Sequence, residues 1–227
     1  GYWILDYTDT DPHFGTLVEL TNLVTSVHGL DIKLFFDIIT NHTADVIKYQ
    51  EGQYNYVSKA DFPYRDANGV IFDDKDYAGT GTFPPLDPDV SFPYTPVFED
   101  PADGSIKVPD WLNDRTLYHN RGDSTFSGES SEYGDFFGLD DLFTEHFAVV
   151  DGMTDIYQQW ISDVGIDGYR VDTVKHVNME FWRDWVPAVM DHAAAEGDPD
   201  FFIFGEVFDS NAAFMSQYTT DPDFPAV

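Results

Sequence analysis

Cysteine is absent from this 227-residue sequence. No disulfide and no thiolate metal site can form, and cysteine usage sets no compartment. Basic residues are scarce: 11 Lys and Arg stand against 42 Asp and Glu, for a net charge of −31. That balance excludes nucleic acid as a partner, because phosphate binding needs clustered cations. No run of 18 apolar residues occurs, so no membrane-spanning helix is expected. No leader pattern opens the chain either, and Gly1 reads as the middle of a domain. What the sequence does have is 42% hydrophobic and 17% aromatic residues, ample for a core. Highly charged disordered chains are poor in aromatics. A folded chain this acidic, with Asp exceeding Glu more than threefold, reads as one adapted to high salt.

Three segments share one pattern: an apolar run ending in polar, ionisable residues. They are Leu34-Phe35-Phe36-Asp37-Ile38-Ile39-Thr40-Asn41-His42, Gly168-Tyr169-Arg170-Val171-Asp172-Thr173-Val174-Lys175-His176 and Phe204-Gly205-Glu206-Val207-Phe208. Buried strands that release a carboxylate at their C-terminal ends are how barrel enzymes present catalytic groups. Two such carboxylates suit glycosidic cleavage, one attacking and one donating a proton. Arg170 lies two residues from Asp172, on the same face of a strand. A guanidinium there would keep Asp172 ionised.

Helical periodicity surrounds these strands. Thr16 reads as a helix start, with Leu17, Leu20, Leu23, Val24 and Val27 in phase and Gly29 as the stop. Met153, Ile156, Tyr157, Trp160, Ile161 and Val164 form a second stripe that Gly165 ends. Phe181, Trp182, Trp185, Val189 and Met190 form a third, expected to be interrupted or bent near Pro187. These stripes read as core. Residues 43–138 have no sustained period and many turn signals, among them Asn68-Gly69, Pro84-Pro85 and Asp103-Gly104. Short strands between irregular loops are expected there.

The three segments, in this order, resemble the α-amylase family of retaining glycoside hydrolases. The matching signatures are Asp-x-x-x-Asn-His, Gly-x-Arg-x-Asp-x-x-Lys-His and Gly-Glu-Val. Gly1-Tyr2-Trp3 with Asp6-Tyr7 and Asp11-Pro12-His13-Phe14-Gly15-Thr16 is similar to the family's loop after its second barrel strand. Leu139-Asp140-Asp141-Leu142 is similar to a further family segment. The resemblance runs from residue 1 to about residue 210.

It implies an α/β fold: part of a TIM (β/α)8 barrel with an irregular β-rich domain inserted after strand 3. Residues 1–42 and 139–227 would belong to the barrel and 43–138 to the inserted domain. Strands three to five would lie at about 33–39, 166–171 and 201–205. The remaining strands and a third catalytic aspartate would lie outside the sequence, so the chain alone is expected to be inactive.

The implied activity is endo-hydrolysis of α-1,4 bonds in starch, glycogen or malto-oligosaccharides with retention, by a monomeric, secreted protein. Asp172 matches the nucleophile and Glu206 the general acid/base, which must carry its proton at the start. Arg170 would orient Asp172, and Asp37 would brace the site. His42 matches a histidine that bonds the sugar in the cleavage subsite, and Lys175 and His176 match contacts on the leaving-group side. Tyr2 matches the aromatic under the sugar ring; Trp3 packs or stacks. Asn41, Asp141 and the backbone carbonyl of His176 match the ligands of a structural Ca2+, with the oxygen chemistry calcium prefers. The family often has Pro before this aspartate and Asp or Asn two residues after it. Here Asp140 and Phe143 stand at those positions, a departure from the pattern of a neighbouring second metal site. Rival readings are a cyclodextrin-forming glucanotransferase, a neopullulanase-like hydrolase, a non-catalytic transporter-subunit relative and a carbohydrate-binding module.

Overall fold

The Thr16 start and the Gly29 stop bound α1, Leu17–His28. Thr16 Oγ1 accepts from the Glu19 amide at 3.3 Å, and the Glu19 carboxylate accepts from the Thr16 amide at 2.9 Å. Such a cap is worth about 1 kcal/mol. The computed structural model describes residues 2–220. Gly1, which opens the motif noted above, and residues 221–227 lie outside the described residues.

Three strands form a parallel sheet in the order β1 (Phe35–Ile38), β4 (Gly168–Val171), β5 (Phe202–Gly205). The register sets Asp37 opposite Arg170 and Arg170 opposite Phe204. Period-two alternation splits the sheet into two faces. Ile38, Tyr169, Val171 and Ile203 point one way and are buried. That face is covered by α3 (Phe147–Val164) and α4 (Met179–Glu196), which pack on each other. Trp182 and Trp185 lie wholly buried there. Asp37, Arg170 and the rings of Phe35, Phe202 and Phe204 occupy the opposite face. Gly168 is required on that face: a Cβ would lie within 2.4 Å of the Phe35 ring and of the Phe202 carbonyl oxygen.

Left-handed glycines end both long helices, Gly165 at φ 71° and Gly197 at φ 104°. Both are positions an L side chain resists. The expected interruption at Pro187 does not occur, since α4 runs unbroken through it. The wholly buried Trp185, Val186 and Val189 hold that turn in the core, offsetting the lost backbone bond. Among the described residues no helix is long and apolar enough to cross a membrane.

Residues 43–138 depart from the β-rich expectation. Their only ladder pairs β2 (Lys48–Tyr49) with β3 (Pro96–Val97), antiparallel. One short helix, α2 (Ser130–Tyr133), and several 3-10 turns accompany isolated bridges. The reason lies in the aspartates. Asp66 accepts from the amides of Asn68 and Val70, Asp87 from Asp89, Asp100 from Ala102 and Asp114 from Thr116. Side chains that take backbone donors locally compete with a ladder. Leu112, Leu117 and Tyr118 nevertheless share one apolar core with Tyr7, Leu142 and the helices.

Candidate active site

One guanidinium gathers the ends of all three parallel strands. Arg170 Nη1 donates to Asp37 Oδ1 at 2.6 Å and to Asp172 Oδ1 at 2.7 Å, and its Nη2 donates to Glu206 Oε2 at 2.6 Å. Main-chain bonds fix Asp172 and Glu206 just past their strands. The Asp172 amide donates to Ile38 O and the Glu206 amide to Val171 O, both at 2.8 Å. Asp37 braces the guanidinium, as expected. The pairing expected of Asp172 is present, and Arg170 favours the ionised form, but burial acts against it. Burial pushes the Asp172 carboxyl up from its ordinary value, Arg170 opposes this, and contact with Glu206 pushes it up again. Only 7% of Asp172 is exposed, and desolvation outweighs one cation shared among three acids.

Beside these groups opens a cleft of about 820 Å3 that includes Glu206, Lys175 and His176 in its wall, opposite Phe126, Phe136 and Phe137. Phe137 and Gly138 both have positive φ in the tight turn between Phe136 and Leu139. A phenylalanine held left-handed costs on the order of 1 kcal/mol, and such strain concentrates at functional sites. His42 stacks on Phe136 with ring centroids 5.2 Å apart, and His176 meets the same ring edge-on at 5.1 Å. Burial pushes His42 down to about 4, so it is neutral at pH 7. Its buried Nε2 has no hydrogen-bond partner among the described residues, a position a ligand hydroxyl would satisfy. His176 Nδ1 lies 2.6 Å from Ser131 O. Lys175 Nζ donates to Phe208 O at 2.5 Å. Tyr2 and Trp3 are exposed, and neither is among the residues lining this cleft.

Asn41 and Asp141 are both buried and sit on adjoining segments, where the Leu142 amide donates to Asn41 O at 2.9 Å. Asp141 Oδ2 lies 2.6 Å from His119 Nδ1, and burial pushes its carboxyl up to about 8. Asp141 and Asn41 offer a carboxyl and amide oxygens, the donor types calcium takes, and binding the ion would require Asp141 to give up the proton that burial favours. Among the described residues no three His, Cys, Asp or Glu side chains form a metal cluster. The expected set has a single carboxylate; its other donors are amide and backbone oxygens.

Sequence reasoning missed a buried ion pair and a buried histidine–carboxyl contact next to these groups. Lys107 Nζ bonds Asp140 Oδ2 at 2.6 Å with no exposure of the lysine side chain. His119 Nε2 lies 2.9 Å from Glu145 Oε2, so both nitrogens of that buried ring face carboxylates. A signal existed for the first: Lys107 is one of only six lysines and lies between Ile106 and Val108.

The family model "Alpha amylase, catalytic domain" matches residues 1–226. An alpha-amylase of Streptomyces lividans is 54% identical over 221 residues, 97% of this chain and 24% of that protein. A cyclomaltodextrin glucanotransferase of Bacillus licheniformis is 28% identical over 94% of this chain and 23% of its own length. The chain thus spans about a quarter of the length of these relatives. Among solved structures, an alpha-amylase from Geobacillus thermoleovorans complexed with acarbose aligns with a TM-score of 0.62. It is 26% identical over 96% of this chain and 35% of that one. Homologous catalytic domains adopt the TIM barrel; the three strands described here form part of a sheet and no closed barrel. The chain belongs to the alpha-amylase catalytic-domain family.

Proposed function

We propose that this chain is part of a retaining, endo-acting α-amylase that hydrolyses internal α-1,4 bonds of starch, glycogen or malto-oligosaccharides. The observation that carries the reading is the single Arg170 guanidinium bound to both Asp172 and Glu206 at the strand ends. Asp172 attacks the anomeric carbon and Glu206 gives its proton to the departing glycosidic oxygen. Glu206 then takes a proton from water, which attacks the anomeric carbon and releases Asp172. Substrate must displace the Arg170–Glu206 contact or share it, and Arg170 favours the ionised form of Asp172 that the first step needs. His42, with a free buried Nε2, bonds the sugar at the cleavage point. Lys175 and His176 contact the leaving-group side, and Tyr2 joins the site only in the complete enzyme.

Asn41, Asp141 and the His176 carbonyl would hold calcium, which when bound supplies a clamp between residues 43–138 and the barrel. Residues 43–138 form the inserted domain and 1–42 with 139–227 the barrel portion. The enzyme is monomeric, extracellular and adapted to high salt. The chain alone is inactive, because the family's third aspartate is not in it. A glucanotransferase is the second reading, supported by the phenylalanine-lined cleft, whose apolar wall disfavours water as acceptor.

The test uses the full-length enzyme. It should release α-anomeric malto-oligosaccharides, followed by NMR, with linear products outweighing cyclic ones. Asp172→Asn and Glu206→Gln should each cut kcat by several orders of magnitude, since each role is worth at least about 10²-fold. Near-normal hydrolysis by either variant overturns the roles, and predominantly cyclic product shifts the reading to the transferase.

A further inference from the structure

Three short segments lie side by side beneath the cleft. Residues 41–43 pair with residues 140–142: Thr43 donates to Asp140 O at 3.0 Å and Leu142 to Asn41 O at 2.9 Å. Residues 141–143 pair in turn with residues 117–119: His119 donates to Asp141 O at 3.0 Å and Phe143 to Leu117 O at 2.9 Å. Each contact is an isolated bridge rather than a strand. So few backbone bonds hold a register weakly, yet His42, His119 and Asp141 all depend on this one.

A single buried cation joins all three segments. Lys107 Nζ lies 2.7 Å from Thr43 Oγ1, 3.0 Å from Tyr118 Oη and 2.6 Å from Asp140 Oδ2. It also sits 4.3 Å from the centroid of the Tyr118 ring. Thr43 follows His42, Asp140 precedes Asp141 and Tyr118 precedes His119. The ammonium therefore touches the chain neighbour of each of three residues at the site. Its anchor is fixed in turn. The Lys107 amide donates to Asn113 Oδ1 at 3.0 Å, and Asn113 Nδ2 donates to Lys107 O at 2.8 Å. Asp140 also accepts from the amides of Val46 and Ile47, both at 3.0 Å. A three-donor ammonium in a cage of three oxygens, closed from solvent, uses its whole bonding capacity. Its side chain is tethered, so it holds the segments as an ion would, without an ion's exchange.

We propose that Lys107 is a positioning residue for the cleft, an internal cation that locks the segments bearing His42, His119 and Asp141 in register. The catalytic meaning of that lock rests on the α-amylase reading above. The lock itself is a property of the three segments and is measurable without substrate.

The experiment uses the full-length enzyme and follows amide hydrogen exchange at Thr43 and Leu142, with kcat/KM on maltoheptaose alongside. Lys107→Met keeps the bulk and removes the charge. It should speed exchange at both amides by about tenfold or more and lower kcat/KM by about tenfold or more, because small displacements of positioned groups are costly in rate. In Lys107→Ala, added n-propylammonium should restore protection where n-propanol does not. If these variants fail to fold, Lys107→Met with Asp140→Leu removes the stranded charge. That double variant should fold and still exchange fast at Thr43 and Leu142. Wild-type protection in Lys107→Met or in the double variant overturns the proposal, as does equal rescue by the amine and the alcohol. A wild-type enzyme that leaves α-1,4-glucans untouched sinks the α-amylase reading instead, and the exchange data still decide the role of Lys107.

Discussion

The sheet with its two long helices and the stretch from residue 43 to residue 146 bury different chemistry. Against the sheet the interior is Tyr169, Val171, Ile203, Trp182 and Trp185, large and mostly apolar. In the other region Lys107, Asp74, Arg121, His119 and Glu145 are just as deeply buried. Apolar burial is non-directional and forgives small changes of shape. Buried charge is stable only in the company of its partner, and stranding one member is expensive. Two interiors within one chain should therefore fail in different ways.

Salt offers the widest lever on that contrast. With 42 acidic and 11 basic residues, most exposed carboxylates repel one another in the compact state. At about 1 M salt the Debye length is roughly 3 Å, and that repulsion is confined to near neighbours. Near-UV circular dichroism of the full-length enzyme should show loss of tertiary structure at about 0.1 M salt and its retention at about 3 M. Hydrogen exchange should report residues 43–146 opening before α3 and α4. Equal folding at both concentrations would reject the high-salt reading.

Substitution sharpens the comparison at single residues. Lys59 Nζ lies 2.8 Å from Asp74 Oδ1, and the Asp74 side chain is only 1% exposed. Lys59→Met conserves volume yet leaves that carboxylate without its cation and with the Tyr133 hydroxyl at 3.0 Å, at a cost of roughly 3–5 kcal/mol. Ile203→Val, equally conservative beneath the sheet, should cost only about 1 kcal/mol. Urea unfolding of the two variants would measure both; similar losses would erase the distinction between the interiors.

Chelation and pH probe the same buried acids more gently. Burial pushes Asp135 up to about 7 and both Asp141 and Glu145 up to about 8. The folded state then holds protons that the unfolded carboxylates, titrating near 4, have already released. Stability falls wherever the folded state binds more protons, so the chelated enzyme should melt lower at each step from about pH 5 to pH 8. Calcium at 100 times its Kd adds about 2.7 kcal/mol. It should flatten that slope, and Asp141→Ala should remove calcium's effect. A melting temperature indifferent to rigorous chelation would refute the clamp.

Legibility in the sequence followed the same division. The strands, the helix caps at Thr16, Gly29 and Gly165, and the Arg170–Asp172 pairing were readable because period and short spacing encode them. At Pro187 tertiary packing by Trp185 and Val189 keeps the helix uninterrupted, where a local rule allowed a break. Among residues 43–138 the aspartates that cap turns look, in sequence, like strand interruptions. The upward shift of Asp172 was hidden because burial is set by the fold. Lys107 and Asp140 are 33 residues apart, and no periodicity connects them.

The sheet order also has a kinetic meaning. β1 and β4 are neighbours in space, yet the chain makes the whole excursion from residue 39 to residue 167 between them. At synthesis rates of about 5–20 residues per second, β1 leaves the ribosome roughly 10 s before its partner exists. During that wait the edge of β1 that β4 will take stands open, a ready template for another chain. Contacts of such long sequence separation form late and slow folding. The excursion therefore sets a window of vulnerability during biosynthesis, and its length governs how long the nascent protein must be kept from its own copies.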